Sequence, residues 1–137
     1  DFIIKRSDGL FAYQFTVVVD NYLDNVSNIV RGSDLIESTH RQVYLHQLLN
    51  FDIPEFCHIP VATKLQKKIS KSHGDEIIIK GNEMAIWLKC LVFLNQPMEK
   101  FSTSMSLEEI IHKAILCWDK RLIKPLRTIE IGDSIHT

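Results

Sequence analysis

The chain has 137 residues, 45% of them hydrophobic, and a formal net charge of −1. This composition supports one folded domain or a large piece of one and excludes a disordered chain, while the balanced charge excludes a protein-wide positive field for nucleic acid. No apolar run is long enough to span a bilayer. Cys57, Cys90 and Cys117 are too scattered for a metal-ligand motif and fit core thiols in a reducing compartment, so we expect a cytoplasmic protein.

The first part of the chain is predicted to alternate strands and helices. In chain order these are a strand at 1–6, a helix at 11–23, a strand at 25–30, a helix at 39–49 and a strand at 56–63. The second of these segments has apolar residues at helical spacing, although its valines favour a strand. Arg31 and Gly32 follow the second strand, at the end where open α/β sheets bind ligands.

The predicted helix at 39–49 carries two signals. Thr39 and Gln42 form a capping-box pattern, in which each side chain satisfies a free backbone N–H of the other residue. Its apolar residues recur at helical spacing, so we expect a buried stripe formed by Tyr44, Leu45, Leu48 and Leu49. In the next strand, Pro60 favours a sheet edge or a strand end.

The second part of the chain is predicted to be helical. An apolar helix at 84–94 reads as the centre of a small bundle, and Ser106 and Glu109 form a capping box for an amphipathic helix at 106–118. Residues 119–137 read as a short helix and a tail.

These elements predict an α/β fold. We expect the second half of a Rossmann-like nucleotide-binding domain at residues 1–80 and a small helical subdomain at residues 81–137.

The segment Lys68-Ile69-Ser70-Lys71-Ser72 follows the last predicted strand. Two ammonium groups with interposed hydroxyls suit the oxygens of a polyphosphate, because they combine point charges with hydrogen-bond donors. A solvated basic turn has a similar composition. The position directly after a strand, together with the serines, favours phosphate binding.

Several other polar residues have both a functional and a structural interpretation. Arg31 fits a carboxylate clamp or an ordinary surface arginine. Tyr13 fits a ligand contact or a core residue whose hydroxyl meets a carbonyl. Asp20 and Asp24 fit an Mg²⁺ pair or a solvated helix face, and His58 fits a hydrogen-bonded core histidine. Basic residues near the C-terminus fit RNA contacts or plain surface charge, namely Lys120, Arg121, Lys124 and Arg127.

Several blocks keep their order and spacing over residues 1–72 and resemble the glutamyl-tRNA synthetase group of class I aminoacyl-tRNA synthetases. The blocks are Asp1-Phe2-Ile3-Ile4, Arg6-x-Asp8-Gly9-Leu10-Phe11-Ala12-Tyr13-Gln14, Val17-Val18-Val19-Asp20, Ile29-Val30-Arg31-Gly32-x-Asp34-Leu35-Ile36, Thr39-x-Arg41-Gln42, His58-x-Pro60 and the lysine segment. Too few residues follow that segment for a large anticodon-binding domain. The chain is therefore most similar to the short branch of the group that lacks one.

The resemblance implies an enzyme that activates L-glutamate with ATP and Mg²⁺ and glutamylates queuosine in the anticodon of tRNA(Asp). It also implies a monomer when complete. It places Tyr13 and Arg31 at glutamate-contacting positions and Lys71 at the ATP-contacting position, with Lys68 as a second catalytic lysine. One polar contact differs, because the group usually has two aspartates where this chain has Asp20 followed by Asn21.

The resemblance covers only the C-terminal half of such a catalytic domain. The group's H-x-G-H-like ATP motif, its other glutamate contacts and its cysteine-rich zinc site are expected in an N-terminal half outside these residues. We therefore predict no metal in this chain and no activity from the chain alone. The alternatives are a fragment of a true glutamyl-tRNA synthetase and a degenerate, non-catalytic half-domain.

Overall fold

A computed structural model describes residues 1–69, 83–102 and 104–131. The chain divides into two compact units, Asp1–His58 and Ile59–Thr137. The helices and strands in chain order are α1 (Tyr13–Leu23), β1 (Asn28–Gly32), α2 (Ile36–Leu49), β2 (Glu55–Ile59), β3 (Val61–Lys64), β4 (Lys67–Lys68), α3 (Glu83–Phe93), α4 (Leu107–Cys117) and β5 (Thr128–Glu130). Short 3₁₀ turns lie at Ser33–Leu35, Met98–Lys100 and Lys120–Leu122.

The first unit contains a helix pair, in which α1 packs against α2, and a two-stranded sheet of β1 and β2. Val18 of α1 and Leu45 of α2 are buried, and full burial of such a side chain contributes roughly 1.5–3 kcal/mol. Tyr22 stacks on Phe51, with ring centroids 3.7 Å apart. Asn50 ends α2 in the left-handed conformation, with φ 56°, so that the chain can turn towards β2. These contacts fix α2 against α1.

The predicted N-terminal strand is wrong. The chain instead turns at Gly9, which has φ +87°, and the Arg6 N–H donates to the Leu10 carbonyl at 2.8 Å. An isolated antiparallel bridge joins Lys5 to Phe11. A β-strand needs a hydrogen-bonded neighbour along its length. Here the described pairing is a single bridge between the two arms of the turn.

The start of α2 also differs from the prediction. The helix begins at Ile36 and its N-cap is Leu35, which makes no side-chain capping bond, so the capping box expected from Thr39 and Gln42 is wrong. Both residues lie inside the helix. Their side chains are therefore available for bonds to other elements, and both bond to Arg31 of β1.

The buried face of α2 is more polar than expected. Leu45 is buried as predicted, but Tyr44 and Leu48 are exposed, and the other buried positions of the helix are Gln42 and His46. The spacing is still that of one helix face. The helix thus carries two polar side chains into the interior of the first unit.

The single strand predicted at 56–63 is two strands. Pro60 separates β2 from β3 and has no N–H to donate, which breaks a continuous ladder at that residue. The two strands belong to different sheets, because β2 pairs with β1 whereas β3 is the central strand of the order β4-β3-β5.

The sheet of the second unit combines two kinds of pairing. Strand β3 is antiparallel to β4, where Thr63 pairs with Lys68, and parallel to β5, where Thr63 pairs with Glu130. Leu65 and Gln66 connect β3 to β4 with φ 50° and 62°. The Thr63 hydroxyl donates to the Glu130 carboxylate at 2.7 Å and lowers its pKa. Strand β5 lies where the sequence predicted only a tail.

The helices of the second unit share a small apolar core. Leu91 of α3 packs with Ile110 and Ala114 of α4, and partly buried residues surround them, namely Met84, Leu88, Met98, Phe101 and Met105. Within α3 only Leu91 is buried among the described residues, so the predicted central position of this helix in a bundle is wrong.

The capping box at the start of α4 is confirmed. The Glu109 N–H donates to the Ser106 hydroxyl at 3.2 Å, and the Ser106 N–H donates to the Glu109 carboxylate at 2.7 Å. The second bond lowers the pKa of Glu109. The predicted amphipathic stripe is only partly buried, because Ile115 is 71% exposed and Trp118 lies past the helix end.

Candidate functional site

Arg31 is the centre of a polar cluster in the first unit. It lies near the end of β1, and its Nη1 donates to Gln42 Oε1 at 2.7 Å while its Nη2 donates to Thr39 Oγ1 at 2.7 Å. Its Nε lies 3.4 Å from His58 Nε2, and its guanidinium carbon lies 5.0 Å from the centroid of the Phe56 ring. Three elements, β1, α2 and β2, therefore hold one guanidinium group.

All of these partners are uncharged. An amide oxygen, a hydroxyl and an imidazole nitrogen accept the bonds of Arg31, and among the described residues no carboxylate is paired with it. Burial lowers the pKa of Arg31, with nearby Tyr13 acting in the opposite direction, but a guanidinium stays protonated at neutral pH. The cluster thus orients a positive charge without neutralising it, which suits the binding of an anion.

A chain of amides fixes the orientation of Gln42, which is 1% exposed. Gln42 Nε2 donates to Gln14 Oε1 at 2.8 Å, and Gln14 Nε2 donates to Ser38 Oγ at 2.8 Å. Because the amide nitrogen of Gln42 is used in this way, its oxygen faces Arg31. The buried amide therefore has a partner on both sides and holds the guanidinium in one direction.

Tyr13 begins α1 and is brought into electrostatic reach of Arg31. Its side chain is 54% exposed, so the interpretation as a core tyrosine is wrong. The exposed phenol acts on Arg31 electrostatically, and its hydroxyl can donate or accept a hydrogen bond. The described hydrogen bonds of Arg31 do not include Tyr13, so the assignment of both residues to one ligand stays a prediction.

His58 ends the first unit and faces Arg31 from β2. Its Nε2 lies 3.0 Å from the Thr39 hydroxyl as well as 3.4 Å from Arg31 Nε. Burial and the charge of Arg31 both lower the pKa of His58, which keeps the ring neutral at physiological pH. The prediction of a hydrogen-bonded core histidine is confirmed for its hydrogen bonds, which lie in the Arg31 cluster, but His58 is half-buried and not a core residue.

The lysine segment is only partly described. Lys68 lies in β4, is exposed and pairs in register with Thr63. Ser70, Lys71 and Ser72 lie outside the described residues. The assignments of Lys71 and Lys68 to ATP therefore stay predictions.

The other candidate residues form no second site. Asp24 ends α1 with its N–H bonded to the Asp20 carbonyl, and in the described ranges no group of three or more His, Cys, Asp or Glu residues could hold a metal ion. Near the C-terminus, Arg121 is paired with Asp119 at 2.7 Å. No helix in the part of the chain that the structure describes has the length and apolar character to cross a membrane.

The sequence interpretation missed the residues that support Arg31. Thr39 and Gln42 were assigned to a cap, and Gln14 and Phe56 were assigned to no site. One signal was available, because Thr39 and Gln42 lie three residues apart and therefore share a helix face. Their common target on β1 depends on tertiary packing, which the local pattern does not contain.

Comparison with known proteins identifies the family of the chain. The family described as "tRNA synthetases class I (E and Q), catalytic domain" matches residues 1–115. A protein named glutamyl-Q tRNA(Asp) synthetase from Escherichia coli O6:H1 is 43% identical over 119 residues, which are 86% of this chain and 39% of that protein. A protein of the same name from Pseudomonas syringae pv. syringae is 37% identical over 131 residues, covering 95% of this chain and 44% of that protein. The chain thus spans about two fifths of the length of these curated relatives.

Solved structures agree on the fold. A glutamate-tRNA synthetase from Elizabethkingia anophelis superposes with a TM-score of 0.69 at 20% identity, covering 98% of this chain and 31% of the other. A glutamate tRNA ligase from Elizabethkingia meningosepticum gives a TM-score of 0.67 at 19% identity, covering 96% and 30%. These matches confirm the predicted α/β fold of a class I synthetase catalytic domain. The chain belongs to the catalytic-domain family of class I tRNA synthetases (E and Q), which are ligases.

Proposed function

We propose that this chain is part of an ATP-dependent ligase that activates L-glutamate and transfers the glutamyl group to queuosine in the anticodon of tRNA(Asp). The family membership supports a synthetase, and the names of the curated relatives support the queuosine-modified tRNA as acceptor. Because the chain spans about two fifths of those relatives, the activity, substrates and partners are assigned to the whole ligase.

The observation that supports glutamate as the ligand is the uncompensated charge of Arg31. Its three hydrogen-bond partners are neutral acceptors, so a substrate carboxylate would supply its first counter-charge among the described residues. The terminal nitrogens each carry a second N–H, which suits a carboxylate with two oxygens. A ligand with an amide in place of the carboxylate would leave the guanidinium unpaired, which favours glutamate over glutamine.

Tyr13 completes this part of the proposed glutamate site. Its side chain is exposed and acts on Arg31 electrostatically, and its hydroxyl can donate to or accept from the amino acid. We assign both residues to substrate binding, since neither is placed to act as a nucleophile. The site selects and orients the amino acid.

The proposed chemistry is attack of a glutamate carboxylate on the α-phosphorus of ATP. Lys71, helped by Lys68, would stabilise the negative charge that builds up on the pyrophosphate leaving group. The support for this step is the sequence pattern of the lysine segment. Loss of one such contact costs about 100- to 1,000-fold in rate in comparable cases.

The proposal brings in Mg²⁺ with ATP, because Mg²⁺ in such sites is commonly bound through the substrate phosphates. We propose that the zinc centre expected for such a ligase lies outside this chain. We also retain the division at residues 1–80 and 81–137, a monomeric ligase and a cytoplasmic location as part of the proposal.

A chimera tests the proposed function. The 137-residue chain replaces the matching segment of the Escherichia coli relative, and glutamate-dependent exchange between ATP and pyrophosphate is measured without tRNA. We expect exchange with glutamate and none with glutamine. Labelled glutamate should then pass to tRNA(Asp) that carries queuosine and not to the same tRNA without the modification.

Two results would contradict the proposal. Exchange that requires tRNA, with transfer to an unmodified tRNA, would identify a true glutamyl-tRNA synthetase segment. A chimera that folds, as judged by circular dichroism and gel filtration, but shows no exchange would identify a degenerate half-domain. The parent Escherichia coli relative, assayed in parallel, controls for the quality of the tRNA and the reagents.

A further inference from the structure

We propose that His58 is a positioning residue for Arg31: its neutral ring, protonated on Nδ1, holds the guanidinium through Nε2, and protonation of Nε2 releases Arg31 and weakens glutamate binding. This inference rests on the proposed role of Arg31 in glutamate binding. It adds a residue to that site and makes the affinity of the site depend on pH.

The donors around His58 determine which ring nitrogen carries the proton. Arg31 Nε can only donate, and it lies 3.4 Å from His58 Nε2. The Thr39 hydroxyl accepts from Arg31 Nη2 at 2.7 Å, which leaves its own hydrogen for His58 Nε2 at 3.0 Å or the Leu35 carbonyl at 3.4 Å. The Thr39 contact alone fits either tautomer, whereas the contact with Arg31 Nε requires a lone pair on Nε2. We therefore infer a neutral ring with its proton on Nδ1.

The surroundings of His58 make a second proton unfavourable. The charged group that faces the ring from β1 is Arg31, and the nearest side chain from α2 is the uncharged Thr39. On its own strand, Phe56 lies with its ring 6.4 Å from His58 and parallel to it within 4°. Tyr13 of α1 acts on Arg31 as an exposed phenol. Burial and the positive charge of Arg31 both lower the pKa of His58.

Protonation would act on Arg31 in two ways. Nε2 would lose the lone pair that Arg31 Nε approaches, and two positive groups would then lie 3.4 Å apart. Gln42 and Thr39 would still bond the terminal nitrogens, so the guanidinium would tilt away from β2 while remaining in the cluster. Glutamate affinity should therefore fall as the pH decreases through the pKa of His58.

Thermodynamic linkage predicts the direction in which glutamate binding changes the pKa of His58. If protonation of His58 weakens glutamate binding, then glutamate binding must lower the pKa of His58 by the same factor. If the glutamate carboxylate acted on His58 only by electrostatic attraction, glutamate binding would raise the pKa of His58. The direction of the change thus separates positioning from simple attraction.

The experiment uses the chimera with the Escherichia coli relative, labelled with ¹⁵N, and L-glutamate as the ligand. Two-bond nitrogen–proton spectra report the tautomer and the titration of His58, and the Arg31 Nε–H signal reports the position of the guanidinium. His58→Gln keeps an acceptor near the place of Nε2 and does not titrate. His58→Leu removes the acceptor, and His112→Gln on α4 is the matched control for the substitution.

We expect the Nδ1–H tautomer in the wild type, a His58 pKa that glutamate lowers further, and a dissociation constant for glutamate that rises as the pH falls from 8 to about 5. His58→Gln should bind glutamate with little dependence on pH. His58→Leu should bind about 10- to 100-fold more weakly at pH 8, the range expected for losing a hydrogen bond to a charged group. His112→Gln should behave as the wild type.

The outcomes separate this inference from the proposed function. Three results would overturn the positioning role and leave the proposed function intact. Glutamate could bind while His58 is the Nε2–H tautomer, glutamate could raise the pKa of His58, or His58→Gln could keep the pH dependence of glutamate binding seen in the wild type. No glutamate binding by the folded chimera at any pH contradicts the glutamate site. In that case the tautomer of His58 and the Arg31 Nε–H signal still decide whether His58 holds the guanidinium. An Arg31 Nε–H signal that shifts in His58→Leu but not in His58→Gln supports this contact.

Discussion

Two arginines of this chain show how the partner of a guanidinium decides what it can do. Arg121 donates to both carboxylate oxygens of Asp119, at distances from 2.7 to 3.1 Å, and its bonds lower the pKa of Asp119 to about 2. Its charge is already matched by that carboxylate. Arg31 is bonded to neutral acceptors, so its charge is not matched by a carboxylate among the described residues. The residue types are identical, and their surroundings give them different roles.

The change Arg31→Lys should weaken glutamate binding about 10- to 100-fold and leave ATP binding unchanged. An ammonium group is a single point charge and cannot bond Gln42, Thr39 and a carboxylate in the planar arrangement of a guanidinium. Calorimetric titration of the chimera with each ligand measures the effect, and Arg121→Lys is the control for the same substitution at an arginine paired with Asp119. Equal losses for both ligands would show instead that Arg31 supports the fold.

The other buried histidine gives a prediction about stability. His46 is 2% exposed, and neither ring nitrogen has a hydrogen-bond partner among the described residues. Burial lowers the pKa of His46, and the nearby backbone of Asp52 opposes this only in part. The unfolded chain then binds a proton near its ordinary pKa of about 6.5, before the folded chain does. The folded state should therefore lose stability as the pH falls from that value to the lowered one.

The change His46→Phe tests this prediction, because a phenyl ring keeps the shape and the contact with Phe51 but does not titrate. We expect the urea midpoint of the wild type to decrease between pH 7.5 and pH 5, and that of His46→Phe to decrease less. His58 has a lowered pKa as well and contributes a loss of the same sign, so some pH dependence should remain. An identical decrease in both proteins would remove His46 from the acid response.

At the level of single elements, α2 and α4 show where a local pattern is sufficient and where it is not. Both carry a hydroxyl residue followed three positions later by an amide or carboxylate. In α4 the pattern is a capping box, as predicted. In α2 the same spacing lies inside the helix and is directed to β1. The sequence alone cannot separate these cases, because the deciding partner, Arg31 of β1, reaches Thr39 and Gln42 only in the folded chain.

The change Ser106→Ala should destabilise the second unit by about 1 kcal/mol, the usual cost of losing an N-cap side chain. The Ser106 hydroxyl accepts the Glu109 N–H at 3.2 Å, and alanine cannot replace that bond. Chemical denaturation followed by circular dichroism measures the effect. Ser104→Ala, at an exposed serine before the helix, is the control. A loss as large in the control as in Ser106→Ala would show that the cap contributes nothing specific.

At the level of the whole molecule, the sequence predicted the fold class and the family better than it predicted the short strands. Helices α1 and α4 were identifiable because their apolar spacing extends over several turns. Strand β5 was not, because three residues carry little pattern and its place is set by pairing with β3. Tyr13 and Arg31 were identified through the resemblance to a family, whereas the residues that hold Arg31 required the structure.

The outer face of α4 presents apolar side chains to solvent. Leu107, Ile111 and Ile115 line an open surface depression together with Glu108 and His112, and Ile115 is 71% exposed. Contiguous apolar surface of this kind promotes association of folded chains. We therefore expect the isolated chain to associate as its concentration rises.

The change Ile115→Lys should reduce this association without lowering the urea midpoint, because the side chain makes few contacts in the folded chain. Sedimentation velocity at increasing concentration measures it. Glu108→Gln changes the net charge by the same amount on the same surface and keeps the apolar residues, so it should leave association unchanged. Equal effects of both substitutions would attribute the change to charge alone.

The pairing of β3 with β5 has a consequence for the order in which the chain is completed on the ribosome. The Thr63 hydroxyl and the Glu130 carboxylate that it bonds are 67 positions apart in the sequence. At a synthesis rate of about 5–20 residues per second, β3 is made roughly several seconds before β5 exists to pair with it. The elements that surround Arg31 all precede residue 60. A nascent chain can therefore assemble the Arg31 cluster while the sheet next to the lysine segment still lacks one of its strands.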